Sequence, residues 1–324
     1  MFLSFSGSDT FMFRLTGPLS ALLLFLFVAP AFSAGASATP CVDWAGMSKH
    51  AARVYWREAS VEALEPCLDR QDVSKAGFDR ITALHRAAEF GRDPAVISLL
   101  IEAGANINAT DRFGHTPLQF AVEIDPSPAI VSVLLVAGAD PDLADNNRWT
   151  ALHWAAPFND RSEIIDLLVN AGANIGATND KGATALHLAA GSNGSPDVIR
   201  ALLAAGADLM ARDEKGETPL HAAAALNPDP TIALMLIEAG ANINATDRFG
   251  RTPLHLAALV SFYPEVLAVL LDAGADPNIR DARGRLAIDI AEKNFRMQGF
   301  AALEMLRQAT NQVSVGTESS DRQT

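Results

Sequence analysis

The chain contains 324 residues, of which 49% are hydrophobic and 19% are charged, a composition that provides for an ordered core and excludes a largely disordered chain. Its formal net charge of −13 at pH 7 argues against binding nucleic acid through a basic surface, because an acidic protein repels phosphate groups. No nucleic-acid partner is therefore expected.

The first segment, residues 1–36, has the features of a secretory signal peptide. Arg14 precedes an apolar stretch over residues 19–32, which is about 14 residues long and therefore shorter than the roughly 20 residues of a membrane-spanning helix. Small residues beyond it predict cleavage after Ser33 or Ala36. We expect a periplasmic or secreted protein that is not inserted in the membrane after cleavage. An uncleaved membrane anchor is the alternative.

Residues 37–76 predict two helices, around 44–58 and 60–68, and contain both cysteines of the chain, Cys41 and Cys67. Because both cysteines follow the export signal, an even number of them in an oxidising compartment favours a disulfide bond. A bond between them closes a loop of about 27 residues and contributes on the order of 3 kcal/mol to stability. Two buried free thiols are the alternative.

From residue 77 onwards the sequence repeats with a period of 34 residues. The segment LIEAGANINATDRFG occurs at 100–114 and again at 236–250, which is 136 positions, or four periods, further along. Blocks begin at residues 77, 111, 145, 179, 213, 247 and 281. In the first six blocks the sixth to ninth residues are TALH, TPLQ, TALH, TALH, TPLH and TPLH, and each of these blocks carries Ala-Gly-Ala at one offset. Such a period is typical of stacked repeats.

Each block predicts a pair of helices. The threonine at block position six is suited to an N-cap, and the proline that follows it in three blocks is suited to the first helical turn. The second helix begins near position eighteen, where Asp93, Ser127, Ser195 and Asp229 are predicted caps. The glycine of Ala-Gly-Ala is predicted to end it, because glycine adopts the left-handed conformation at low cost.

TPLH followed by two alanines, and then a helix ending in Leu-Leu-x-x-Ala-Gly-Ala, resembles the ankyrin repeat, here of an exported bacterial type. The resemblance implies an all-α solenoid of stacked helix-turn-helix units with projecting β-hairpin-like fingers and a concave binding face. The repeats would occupy 77–308, as blocks 77–110, 111–144, 145–178, 179–212, 213–246 and 247–280, with a C-terminal cap at 281–308. Residues 37–76 would be the N-terminal cap, and the polar tail 309–324 is expected to be disordered.

Four blocks depart from the pattern. The glycine of the finger turn is replaced by Arg80 and Arg148, so we expect those turns to differ locally, with Asn147 taking a positive φ. Gln119 replaces the motif histidine in the second block. The last block has Leu286 for threonine and Asp289 for histidine, which suits a capping repeat.

One histidine per block invites a metal or acid–base hypothesis. The column consists of His85, His153, His187, His221 and His255. Packed helices lie about 10 Å apart, so neighbouring histidines are too distant to share a zinc ion with bonds of about 2 Å. The family resemblance implies that each histidine instead bonds the threonine hydroxyl and the finger backbone. We expect no catalytic residue, no metal and no cofactor; an enzyme or metal-handling protein on the same stack is the alternative.

In repeat proteins of this type the variable finger positions determine specificity, so we expect a protein partner to bind there. The candidate contact residues are Arg112, Phe113, His115, Asn147, Trp149, Trp154, Lys181, Lys215, Arg248, Phe249 and Arg251. Aromatic residues and arginines are favoured at binding hot spots, although the aromatic ones equally suit packing between adjacent fingers. Apolar block position fourteen, which includes Phe158 and Leu226, predicts core filling. A monomer is expected, acting as a resident periplasmic adaptor or as a secreted effector that binds host proteins.

Overall fold

Sixteen α-helices and no strand are present in the part of the chain that the computed structural model describes, which comprises residues 43–68, 73–123, 127–158, 160–192, 195–260, 263–294, 299 and 301–320. The predicted signal peptide and Cys41 lie outside these residues. The helices are α1 Lys49–Glu58, α2 Val61–Leu68, α3 Ala83–Phe90, α4 Pro94–Glu102, α5 Pro117–Glu123, α6 Pro128–Val136, α7 Ala151–Phe158, α8 Ser162–Asn170, α9 Ala185–Gly191, α10 Pro196–Ala204, α11 Pro219–Leu226, α12 Pro230–Glu238, α13 Pro253–Val260, α14 Pro264–Asp272, α15 Ala287–Ala291 and α16 Ala301–Ser320.

The helices form two layers, as the 34-residue period predicts. The first helix of each block contacts the first helices of the neighbouring blocks, from α1 and α3 to α13 and α15. The second helices contact one another in the same way, from α2 and α4 to α14 and α16. No block covers its own apolar face, so stability comes from stacking neighbours. The described residues all belong to one unit, Pro40–Thr324, and none of their helices is both long and apolar enough to cross a bilayer.

The helix ends are fixed by the residues that the pattern singles out. Thr82 accepts a hydrogen bond from the backbone N–H of His85, which satisfies a donor in the first turn of α3. Asp93 and Asp229 cap α4 and α12 with their carboxylates, whereas the hydroxyl of Ser127 makes no capping bond to α6. The predicted second-helix caps are thus confirmed for Asp93, Ser195 and Asp229, but not for Ser127.

Alanines in the first helices let neighbouring blocks approach closely. Ala155 and Ala189 are completely buried at equivalent positions of α7 and α9. The second helices contribute larger side chains, such as Ile164, Ile165 and Leu168 of α8, which are also completely buried. Burial of each of these larger side chains stabilises the fold by about 1.5–3 kcal/mol. The core is therefore continuous from block to block.

A ladder of backbone hydrogen bonds joins the fingers. In each junction the carbonyl at block position three accepts from the N–H at position two of the next block. It begins with Arg112 N to Asp79 O at 2.9 Å and ends with Ala282 N to Phe249 O at 2.8 Å. The intermediate rungs run from Asn146 to Phe113, Asp180 to Asn147, Glu214 to Lys181, and Arg248 to Lys215.

The finger turns that lack glycine do not differ as predicted. Arg80 and Arg148 themselves take positive φ values of 62° and 61°, so each replaces glycine without changing the turn. The prediction that Asn147 takes the positive φ is therefore wrong, because the bonds of the turn and the ladder determine the backbone at position four whichever residue occupies it.

The two ends of the stack also differ from the sequence-based expectation. A 3-10 turn at Trp44–Gly46 precedes α1, which begins only at Lys49 after the N-cap Ser48, so 44–58 is not one helix. Trp44 packs against Trp56 with ring centroids 5.9 Å apart, and Cys67 of α2 is buried. At the other end α16 continues to Ser320, through most of the tail that was expected to be disordered.

Candidate protein-binding surface

From the second block onward, each finger turn is held by a carboxylate or amide at block position one, whereas the first block has Gly77 at this position. In the second block, Oδ1 of buried Asp111 accepts from the N–H groups of Phe113 and His115, both at 2.8 Å. The same two bonds recur at Asp145, Asn179, Asp213, Asp247 and Asp281. Because the turn is tied from below, the side chains at positions two and three point outward.

His115 lies between the buried carboxylates of two successive fingers. Its Nδ1 is 3.2 Å from Asp111 Oδ2 and its Nε2 is 3.3 Å from Asp145 Oδ2. Burial disfavours the charged ring, but the hydrogen bonds and charges of the two carboxylates outweigh burial and raise the pKa of His115 to about 9. The ring is therefore cationic at neutral pH and joins the two fingers.

Six rings make a continuous aromatic patch, which we define as Phe113, His115, Phe120, Trp149, Trp154 and Phe158. The ring of His115 lies 5.8 Å from Phe113, 6.0 Å from Phe120 and 5.2 Å from Trp154, between centroids. Trp154 in turn lies 4.9 Å from Trp149 and 6.4 Å from Phe158. The patch runs from the finger of the second block along α7 to its last residue.

The members of the patch differ in exposure. Phe113 is 46% exposed and Phe158 is 61% exposed, whereas Phe120, Trp149 and Trp154 are half-buried. The two sequence-based alternatives for the aromatic residues therefore each describe part of the patch. Trp149 of the third finger packs against Trp154 of α7, whereas about half or more of the surface of Phe113 and of Phe158 is exposed.

A second group of candidate residues lies on the finger four blocks further on, whose turn has the same DRFG sequence. Phe249 is 55% exposed and is covered on one face by Arg251, whose guanidinium lies 4.8 Å from the ring centroid. Arg251 also pairs with Asp247 at 2.6 Å and Glu217 at 3.2 Å, so these two carboxylates compensate its positive charge. Arg112 lies 4.4 Å from the ring centroid of Phe113.

Of the remaining candidate residues, Lys181 and Lys215 lie on the two fingers between these groups, Asn147 lies on the finger of Trp149, and Arg248 lies on the finger of Phe249. Asn147, Lys181, Lys215 and Arg248 are all exposed. The structure brings together Phe113, His115, Trp149 and Trp154 in the aromatic patch, and it brings Arg248, Phe249 and Arg251 onto one separate finger. The predicted site is therefore a row of fingers in which most of the aromatic side chains lie together, in the second and third blocks.

Two residues that the sequence pattern assigns to the core are exposed. Phe158 and Leu226, at the ends of α7 and α11, were expected to fill the core but are 61% and 60% exposed. The first helix of the third block, ALHWAAPF, is apolar on all sides, so no polar face marks the side that meets solvent.

The motif histidines are used inside the fold. In the first block His85 Nδ1 accepts from the backbone N–H of Thr82 at 3.2 Å and Nε2 donates to the carbonyl of His115 at 3.0 Å. Burial lowers its pKa to about 4, and burial likewise lowers the pKa values of His153, His187, His221 and His255. These rings are neutral at neutral pH.

Gln119 reproduces the histidine's bonds by different atoms. Its Oε1 accepts from Thr116 N at 2.9 Å, and its Nε2 donates to the carbonyls of Leu143 and Trp149. Among the described residues no group of three or more His, Cys, Asp and Glu side chains is arranged to hold a metal ion.

Comparison with known families gives matches over most of the repeats. A family model described as "Ankyrin repeats (3 copies)" matches residues 124–213 and 192–281, and one described as "Ankyrin repeats (many copies)" matches 84–135. Together these matches span 84–281, which is more than half of the chain.

Individual proteins show the same similarity. The ankyrin repeat protein OPG189 of vaccinia virus (strain Western Reserve) is 41% identical over 58 residues, which are 18% of this chain and only 10% of the viral protein. Among solved structures, the ankyrin repeat domain of Bcl-3, a unique member of the IkappaB protein family, aligns with a TM-score of 0.56 and 28% identity. The alignment covers 71% of this chain and 99% of that domain.

Proposed function

This chain belongs to the ankyrin-repeat family, and on that premise we propose that it is an exported, non-enzymatic scaffold that binds a protein partner through its fingers and the aromatic patch. Ankyrin repeats are protein-interaction scaffolds, and that general role is common to the family. Export to the periplasm or the medium is the finer part of the proposal. It rests on the sequence of residues 1–36, and the two cysteines, Cys41 and Cys67, suit an oxidising compartment.

The observation that carries the proposal is the exposure of large apolar rings beside a rigid support. Phe113 and Phe158 expose about half or more of their surface at the two ends of a patch in which Trp154 packs against Trp149 and His115. Exposed aromatic side chains on a preorganised surface are the usual anchors of a protein interface, because their burial releases water at small entropic cost.

The experiment is a pull-down from the native periplasmic or culture fraction with the mature protein, from about Ala34, as bait. The test variant is Phe113→Ala/Phe158→Ala, because both side chains are exposed and their loss leaves the core intact. The control is Val136→Ala, which removes an 87% exposed apolar side chain from the end of a second helix. Thermal unfolding of all three proteins checks the fold.

A protein retained by the wild type and the Val136 variant, but lost by the double variant, supports the proposal and identifies the partner. Retention of the same proteins by all three baits contradicts the assignment of the surface. Comparing the periplasmic and culture fractions distinguishes a resident adaptor from a secreted effector. Size-exclusion chromatography with light scattering tests the expected monomer.

A further inference from the structure

A cavity of about 440 Å³ lies at the other ends of the first helices, away from the fingers. It is bounded by α1, the end of α3, and the beginnings of α6 and α8. Its lining consists of Lys49, Arg53, Arg57, Glu89, Phe90, Gly91, Arg92, Ser127, Pro128 and Arg161. The volume falls within the range of about 300–1,000 Å³ that is usual for small-molecule sites. No residue of the aromatic patch lines it.

Five of the ten lining residues are lysine or arginine and only one is acidic, although the whole chain carries a net charge of −13. Lys49, Arg53 and Arg57 are spaced four residues apart on α1, so they share one helix face. Like charges at this spacing destabilise a helix by a few tenths of a kcal/mol per pair.

Ion pairs within the protein compensate only part of the positive charge that lines the cavity. The single carboxylate, Glu89, binds Lys49 at 3.2 Å and Arg86 at 2.6 Å. Arg53, Arg57 and Arg92 are exposed at the cavity and form no ion pair with any described residue. Three guanidinium groups, each able to bind oxygen anions through two N–H groups, therefore face the cavity from two separate elements.

The remaining wall complements the same chemistry. Ser127 and Pro128 place the start of α6 at the cavity, and Ser127 does not cap this nine-residue helix. The positive end of the helix dipole therefore adds to the charge of the arginines. Phe90 and Pro128 give the wall an apolar part that suits the carbon skeleton of an organic molecule.

We propose that this cavity binds a small organic polyanion, with Arg53, Arg57 and Arg92 binding its carboxylate or phosphate oxygens. The cavity is separate from the aromatic patch. The proposal is therefore independent of the proposed protein partner, and each can fail without the other.

Isothermal titration of the mature protein at low ionic strength tests the proposal, with citrate as the carboxylate probe and inorganic pyrophosphate as the phosphate probe. We expect saturable binding of at least one probe, weakened by added salt because exposed charges are screened. The variant Arg53→Gln/Arg57→Gln should weaken that binding by at least about tenfold, because it removes two charge-assisted contacts.

The matched control is Arg200→Gln/Arg283→Gln, which removes the same net charge from two exposed positions outside the cavity. Retained affinity in this control, together with loss in the cavity variant, supports the proposal. Preference for citrate or for pyrophosphate then identifies the chemistry of the natural ligand. Absence of saturable binding to both probes, or equal weakening in the two variants, overturns it, provided that thermal unfolding shows each protein to be folded.

Discussion

At the scale of single residues, His115 shows how one side chain determines the form of the candidate surface. It is the only histidine among the described finger residues that lies between two buried carboxylates, and its ring also contacts Phe113 and Trp154. Asp111 is affected reciprocally. Burial raises the pKa of its carboxyl, but the hydrogen bonds from His115 outweigh burial and hold that pKa below its usual value.

The raised pKa of His115 predicts a pH-dependent stability. The pKa is about 9 in the folded chain and 6.5 as the ordinary value, so the stabilisation is complete below pH 6.5 and is lost as the pH rises through about 9. A shift of this size corresponds to at most about 3 kcal/mol. Urea unfolding of the wild type should show a loss of stability across this range.

The control for this prediction is His115→Gln, which keeps a hydrogen-bonding side chain but cannot carry the charge. Its stability should be lower than that of the wild type below pH 6.5 and should change less between pH 6.5 and about 9. Parallel pH profiles for the two proteins would show that the ring is not charge-paired.

The sequence predicts residues well where one residue type has one role. The motif histidines are placed correctly because only one helical turn separates each from its threonine. Gln119 and Arg148 are harder to predict. Gln119 makes the hydrogen bonds of the usual histidine with its amide atoms, and Arg148 takes the positive φ of the usual glycine. Periodicity identifies the position, but tertiary hydrogen bonds decide whether a substitute conforms to it.

At the scale of elements, the finger turn is determined by its contact with the next finger. Gly182 has a φ of +74°, and a Cβ at this position would lie 2.9 Å from the backbone nitrogen of Glu214. That nitrogen donates the ladder bond to Lys181. Gly284 has nearly the same φ, +73°, but nothing lies within 4 Å of its Cβ position, because it is in the last finger.

These two glycines form a matched pair for mutation. Gly284→Ala should cost about 1 kcal/mol, the strain of a left-handed alanine. Gly182→Ala carries the same strain and in addition displaces the next finger, for a further 1–3 kcal/mol. Chemical denaturation of both variants measures the difference. Equal destabilisation by the two substitutions would show that the next finger moves away from the added methyl group without a loss of stability.

Element boundaries are predictable where capping residues mark them, as at Thr82 and Asp93. The exposure of Phe158 and the extension of α16 are not, for two different reasons. A helix that is apolar all round gives no indication of its solvent side. A polar segment that follows buried residues such as Leu303 and Leu306 can continue an existing helix, because extension needs no new nucleus.

At the scale of the whole molecule, a stack that is stabilised by neighbours is weakest at its two ends, where each repeat has only one neighbour. The N-terminal end has α1 and α2, a core around Trp56 and Leu64, and Cys67 buried within it. A disulfide bond to Cys41 would tie this end to the preceding segment. Such a bond would therefore stabilise the stack at one of its two weakest points, although it lies outside the repeats.

The predicted disulfide has a direct chemical test. Iodoacetamide should label neither cysteine of the denatured mature protein before reduction and both after it, as measured by mass spectrometry. Cys41→Ser should lower the free energy of unfolding by about 3 kcal/mol, the cost of opening a loop of this length. Labelling of both cysteines without reduction would show that the thiols are free.

The finger ladder allows the number of blocks in this chain to change by whole blocks. Each rung uses equivalent atoms of adjacent blocks, so any whole number of blocks can be removed without leaving an unmatched donor or acceptor. The identical segments at 100–114 and 236–250 offer a point where this can happen, since a crossover between them removes 136 residues and rejoins the chain inside the same fifteen residues. Gene recombination at this point would give a shorter protein with both ends intact and every remaining junction in register.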